Sequence, residues 1–184
     1  MFQVCIFGHS TMLSAPFPAL NVPRRNEAVA TDTVFSDTPA IDNGSKIAQL
    51  FFGLEALFGS CYGIKTEKQF VNVLEDEIRY NSAPTLLVTD SAKVEISNVV
   101  KNILRAYGIK DWQSEPYHQN QNPSERHYQD VKRMVNVLLD RTGAPPSLWL
   151  LCLEYVIDVL NHTAMESLGW KTPKEAKTGQ QTDV

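Results

Sequence analysis

Three apolar, strand-like runs follow one another before any helical periodicity begins, and this order most constrains the fold. Glu27 to Phe35 (EAVATDTVF) is rich in small and β-branched residues and reads as a strand. It ends in turn formers, Ser36 to Gly44 (SDTPAIDNG). The runs Lys46 to Phe52 and Phe58 to Ile64 read as a hairpin pair. Helices then alternate with short strands. Thr66-x-x-Gln69 fits a capping box, and Phe70, Val73, Leu74 and Ile78 follow at helical spacing. Thr85 to Thr89 (TLLVT) reads as a short buried strand. Ser97 to Tyr107 reads as an amphipathic helix with Val100, Ile103, Leu104 and Tyr107 on one face, stopped at Gly108. Ile109 to Gln113 reads as another strand, and Ser114 to Ser124 as a polar loop with two prolines. A long helix is predicted from about Ser124 to Arg141, with the apolar stripe Tyr128, Val131, Val135 and Leu138. Another follows from Pro145 to about Asn161, and Thr172-Pro173-x-Glu175 opens a last short one. The order β-β-β-α-β-α-β-α-α is an α/β mixture.

The 184 residues, 43% of them apolar, suffice for one domain with a buried core. Pro16, Pro18 and Pro23 break regular structure near the start, so residues 1–23 are expected to lie apart from a domain spanning 24–184. The net charge of −4 argues against gripping DNA by bulk electrostatics, so any nucleic-acid contact must be local. Cys5, Cys61 and Cys152 are odd in number, far apart and outside any CxxC or Cys/His cluster. They predict neither a disulfide framework nor a structural zinc, and they favour a reducing, intracellular compartment. Met1 to Phe7 is apolar but short and lacks a basic flank. Glu154 and Asp158 interrupt the run Trp149 to Leu160. Neither reads as a signal peptide or a membrane anchor.

Acids at the ends of elements carry the chemistry. Asp32 lies in the first strand, Asp90 ends a buried strand in VTDSA, and Glu125 opens a helix in NPSERHYQD. The intervals hold 57 residues (33–89) and 34 residues (91–124). Three hard oxygen ligands with no His or Cys partner suit Mg²⁺ or Mn²⁺. Carboxylates brought together raise one another's pKa unless a cation neutralises them. Two metals about 3.5–4 Å apart could activate an attacking oxygen and stabilise a leaving one at a phosphodiester.

The surrounding words narrow the choice among 21 acids. LLVTDSAKVEIS resembles the strand-Asp-Asn-Gly-x-Glu-Phe word of retroelement integrases. WQSEPYHQNQNPSERHYQDVKRMVNVLLDRTGAP resembles their PYxPQxNGxxER word and the helix after it. LWLLCLEYVIDVLNHT is similar to their Trp-containing helix, and KTPKEAKTGQQTDV to their TPxExxxGxxPD tail. From Arg24 to Val184 the chain resembles the integrase catalytic core of a copia-type (Ty1/copia) retrotransposon.

The resemblance implies an RNase H-like fold: a mixed five-stranded sheet flanked by helices on both faces. It implies DNA integration, in which water trims a DNA 3′ end and the freed 3′-OH attacks target DNA. Asp32, Asp90 and Glu125 would be the catalytic carboxylates and would bind two Mg²⁺ or Mn²⁺ ions. Gln129 and Lys132, four and seven residues beyond Glu125, would meet the DNA backbone, and Tyr117, Asn120 and Asn122 in the preceding loop would touch the DNA end. The partners would be element ends and target DNA, with a homo-oligomer expected, no small-molecule substrate, and a nuclear site of action. The chain departs from the family at Ser91-Ala92 (usually Asn-Gly), Pro123 (usually Gly), Gly53 (usually acidic) and Asn161-His162 (usually Asn-Arg). The family's His/Cys zinc module and basic carboxy-terminal extension have no counterpart in the 184 residues. A second expectation is therefore a catalytically inactive nucleic-acid-binding relic, and a third is a simple RNase H-like nuclease.

Plainer roles stand beside these. Asp37 or Asp42 could replace Asp32, which motif position favours. Glu125 could complement a helix dipole. Lys132, Arg126 and Arg133 could form a solvated helix face. His118 and His127 read as loop and surface histidines, Glu75-Asp76-Glu77 as a solvated face, and Trp112 and Trp149 as core.

Overall fold

The computed structural model describes residues 22–89, 97–113 and 123–181, with backbone only for Gln113 and 123–126. The elements run β1 (Ala28–Phe35), β2 (Ile47–Gly53), β3 (Gly59–Ile64), α1 (Phe70–Asn81), β4 (Leu86–Thr89), α2 (Asn98–Ala106), β5 (Lys110–Gln113), α3 (Pro123–Thr142), α4 (Trp149–Asn161) and α5 (Pro173–Thr178). This is the order read from the sequence. The strands form one sheet in the order β3-β2-β1-β4-β5. Direct connections without a crossover make β1, β2 and β3 an antiparallel meander, with Asp32 opposite Leu50. The α1 and α2 crossovers bring in β4 and β5 parallel, with Ala30 opposite Val88.

The period of two along each strand sorts the core into two layers. Val29, Phe51 and Leu87 join Phe70, Leu74 and Ile78 of α1 and Val100 and Leu104 of α2. Their neighbours Ala30, Phe52 and Val88 join Tyr128, Val131 and Val135 of α3 and Trp149, Leu150, Leu153 and Ile157 of α4. Full burial of each large side chain contributes roughly 1.5–3 kcal/mol. Val22 packs at the edge of the first layer, and the Ala83 N–H donates to the Pro23 carbonyl at 2.9 Å.

The helix ends follow their local chemistry. The Gln69 side-chain carbonyl accepts from the Lys65 and Thr66 N–H groups at 2.6 and 3.3 Å, so the capping box forms. Ser97 caps α2 by accepting from the Val100 N–H. At α5, Thr172 and Glu175 cap each other at 3.1 and 2.9 Å. Pro123 is the first residue of α3, where a fixed φ and a missing N–H are tolerated. Asn161, at the end of α4, is buried and clamps both backbone groups of Gly59 in β3 at 2.8 Å. The Asn of the Asn161-His162 pair is thus a structural tie between α4 and the sheet.

Two expectations fail. Glu77 is not solvated; only 3% of it is exposed. It lies seven residues after Phe70 and four after Val73, on the buried face of α1. Its carboxylate accepts from the Ser60 hydroxyl at 2.6 Å, the Tyr62 hydroxyl at 3.0 Å and the Asn81 amide at 2.7 Å. Burial first, and the neighbouring carboxylate second, push the Tyr62 phenol up from its ordinary value. The buried Arg25 guanidinium lies 3.6 Å from both Glu77 and Glu27, beyond hydrogen-bond length, so its attraction there is coulombic. Glu27 accepts from the Ala56 and Glu55 N–H groups at 2.9 and 3.3 Å. A Cβ on Gly53 would stand 2.5 Å from both Glu27 carboxylate oxygens, so no larger residue fits there while Glu27 keeps this pose. The second failure is Trp112, 45% exposed on the edge strand β5, which pairs on one side only. Trp149 is core, as expected.

Breaking the Arg25–Glu77 pair leaves an uncompensated buried charge. Glu77→Ala is expected to lower stability by about 3–5 kcal/mol, whereas Glu75→Ala, on the exposed face, should stay within about 0.5 kcal/mol. Urea unfolding of the two variants checks this, and equal effects would remove the buried role of Glu77.

Candidate metal and nucleic-acid site

Asp32 interrupts an otherwise apolar face. It shares strand parity with Ala30 and Val34, so it faces the α3 layer rather than α1. On the opposite face, a chain of hydrogen bonds stiffens β1 against β2. Thr31 donates to the Leu50 carbonyl at 2.8 Å, Gln49 donates to the Thr31 hydroxyl at 2.6 Å, and the Thr33 hydroxyl donates to Gln49 at 2.9 Å. The Thr33 N–H donates to Asp32 Oδ1 at 2.9 Å. The other oxygen, Oδ2, accepts from the Lys132 ammonium at 3.0 Å.

Lys132 reaches Asp32 because it follows Val131, which is fully buried in the stripe that packs α3 on the sheet. Its side chain leaves from the edge of that stripe and keeps 41% exposure, while Asp32 keeps 25%. Lys132 is therefore neither a simple solvated residue nor free. Arg133, beside it, pairs instead with Asp130 at 3.2 Å on the exposed face. Gln129, three residues before Lys132, is exposed.

The structure thus brings Asp32 and Lys132 together. Glu125 stands in the first turn of α3, seven residues before Lys132. At 3.6 residues per turn the two positions share one face, about 10 Å apart along the axis. The Glu125 side chain lies outside the described residues. So does Asp90, which in sequence follows Thr89, the last residue of β4. Asp90 stands two residues after Val88, as Asp32 stands two after Ala30, its partner in the β1–β4 register. Tyr117, His118, Asn120 and Asn122 also lie outside the described residues. Asp37 and Asp42 are exposed in the β1–β2 connection, outside the strand that holds Asp32. Among the described residues no three His, Cys, Asp or Glu side chains are grouped to hold a metal ion.

His127 corrects another expectation. It is half-buried on α3, its ring edge-on to Phe52 with centroids 4.8 Å apart. Burial lowers its pKa from the ordinary 6.5, opposed by the Asp130 charge. It packs against the sheet because it precedes Tyr128 at the edge of the apolar stripe. An apolar groove between α3 and α4, lined by Met134, Val137, Leu138, Tyr155 and Val159, lies apart from the carboxylate and offers no acid to a cation. Cys61 and Cys152 are free thiols, and burial followed by the Glu154 charge pushes Cys61 up to about 12.

No family model matches the chain, and no curated protein matches it. Solved structures do. The HTLV-2 integrase catalytic core domain in complex with magnesium, in its dimeric form, aligns with a TM-score of 0.63 at 16% identity, over 86% of this chain and 98% of that one. The fold is RNase H-like. The trimeric form of the same HTLV-2 domain aligns with a TM-score of 0.63 at 16% identity, over 85% of this chain and 97% of that one. A chain of the simian T-cell lymphotropic virus intasome, in complex with PP2A regulatory subunit B56 gamma, aligns with a TM-score of 0.67 at 15% identity over 89% of this chain. This chain spans 57% of the simian chain's length. The RNase H-like mixed sheet flanked by helices is the architecture these structures share with it.

The His127 environment gives a pH signature. Its folded pKa lies below the unfolded value of about 6.5, so the unfolded chain takes up the proton first as pH falls. The stability that neutral His127 preserves is present above that value and is lost as pH drops through 6.5 towards the folded pKa. Melting temperature should fall from about pH 7 to about pH 5.5 more steeply in the native chain than in His127→Phe. Parallel curves would refute the buried, neutral histidine.

Proposed function

We propose that this chain is an integrase-type polynucleotidyl transferase core, of the copia retrotransposon type, acting on DNA. The observation that carries the reading is the Asp32 carboxylate, set among apolar neighbours of an RNase H-like sheet with a cation 3.0 Å from Oδ2. The Lys132 ammonium beside Oδ2 is a positive partner for this carboxylate, and carboxylate oxygens are the hard donors that Mg²⁺ or Mn²⁺ takes. Asp32, Asp90 and Glu125 would hold the metal ions. When bound, a pair of such ions would supply activation of an attacking oxygen and stabilisation of a leaving one at a phosphodiester. Support for Mg²⁺ comes by resemblance, from the HTLV-2 core solved in complex with magnesium.

The chain's own residues would present the DNA. Gln129 and Lys132 stand three residues apart on α3, one exposed and one partly so, where a backbone phosphate could accept from both. Tyr117, Asn120 and Asn122, in the segment before α3, would touch the DNA end. The β1–β2 hydrogen-bond chain holds the strand beneath Asp32, so its carboxylate keeps its aim when a charged ligand arrives. The first strand position is thereby more rigid than a turn acid such as Asp37 would be. A homo-oligomer is proposed on the likeness to a core solved in dimeric and trimeric forms, and the site of action would be the nucleus. Among the described residues no helix is long and apolar enough to cross a membrane.

The test is oligonucleotide strand transfer and disintegration with Mn²⁺ or Mg²⁺. The native chain should join DNA, and Glu125→Gln and Asp32→Asn should each reduce joining by more than about 100-fold, since even losing a group behind a metal ligand costs 10–100-fold. Joining that survives Glu125→Gln would overturn the active-site assignment. Salt-sensitive DNA binding without joining would replace it by the nucleic-acid-binding relic.

A further inference from the structure

We infer that Lys132 is a positioning residue that couples DNA binding to cation binding at Asp32, releasing the carboxylate only when a phosphate takes its ammonium. The inference rests on the functional reading above and deepens it. Oδ2 accepts the Lys132 ammonium at 3.0 Å, while Oδ1 is engaged by the Thr33 N–H at 2.9 Å. In the DNA-free chain each carboxylate oxygen already accepts one hydrogen bond, and a cation approaching Oδ2 meets the ammonium beside it. That competition is electrostatic as well as steric, because the ammonium would lie within about 4 Å of any ion on Oδ2.

Among the described residues, Asp32 alone holds the ammonium. The Lys132 side chain is 41% exposed on a flexible four-carbon stem, and the next cation, Arg133, is held by Asp130 instead. A DNA phosphate near Gln129 offers Lys132 a second acceptor. In the exchange, the Lys132–Asp32 ion pair breaks, a Lys132–phosphate pair forms, and Asp32 is left with a full negative charge facing the cation. No charge is lost. Because the coupling is an equilibrium property, it is reciprocal: cation on Asp32 frees Lys132 and strengthens DNA binding. The cation is thereby loaded preferentially where substrate is present.

The experiment is a Mn²⁺ titration of the full chain, read by the electron paramagnetic resonance signal of free Mn²⁺, with and without a blunt duplex oligonucleotide. Without DNA, Lys132→Gln should bind Mn²⁺ about 5-fold more tightly than the native chain, the size expected for removing one part-exposed ion pair. Lys132→Arg, which keeps the cation, should bind as the native chain does. With duplex present, after subtracting Mn²⁺ bound by the duplex alone, the native chain should gain affinity and the difference from Lys132→Gln should shrink to within about 2-fold. The inference is overturned if Lys132→Gln binds Mn²⁺ no more tightly than the native chain, or if DNA leaves the difference unchanged. Asp32→Asn separates the two levels. If it abolishes Mn²⁺ binding while the native chain and Lys132→Gln bind equally, the coupling alone falls. If no variant binds Mn²⁺, both the coupling and the functional reading fall.

Discussion

A sheet covered on both faces leaves almost no room for polar side chains, and that constraint governs the rest of this molecule. The central strand β1 alternates between two apolar layers, Val29 towards α1 and Ala30 towards α3. Every polar residue admitted to the strand needs a partner. Thr31 and Thr33 find theirs in Gln49 and the β2 backbone, and Asp32 finds its partner in Lys132. Removing water from an acid in this setting makes any nearby cation matter more than it would on the surface. The strand's architecture thus leaves Asp32 dependent on the positive charge of Lys132.

Much of this was legible in the sequence. The strands could be read from β-branched runs and the helices from 3.6-residue periodicity and their caps, because these signals are local. The parity that turns Asp32 towards α3 also follows from Val29 and Ala30 once both faces are known to be covered. What local patterns could not supply was partnership across the chain. Lys132 and Asp32 stand 100 residues apart, and no spacing rule joins a strand residue to a helix that distant. Glu77 is different: its offset from Phe70 and Val73 marks the buried face of α1, while its charge points to solvent. His127 has a similar conflict, since it stands at the edge of the stripe begun by Tyr128. Trp112 departs the other way, because an aromatic residue on an edge strand has one neighbouring strand, not two.

The two ends of β1 divide the work. Near its start, Arg25, Glu27 and Glu77 form a buried charge cluster whose carboxylates are met by backbone N–H groups, hydroxyls and an amide. Such clusters add little net stability, because desolvation offsets attraction, but they penalise wrong packing strongly. Farther along β1, Asp32 and Lys132 are part-exposed, so their pairing is weak and exchangeable. Among the described residues, burial separates the fixed Arg25–Glu77 pairing from part-exposed ones such as Asp32–Lys132.

Gly53 gives this division a consequence for substitution. The Glu27 carboxylate, from the residue just before β1, fills the space a residue-53 side chain would need. The two positions therefore share one volume: a side chain at 53 is accommodated only where residue 27 is smaller or turned away, so a change at either position constrains the other.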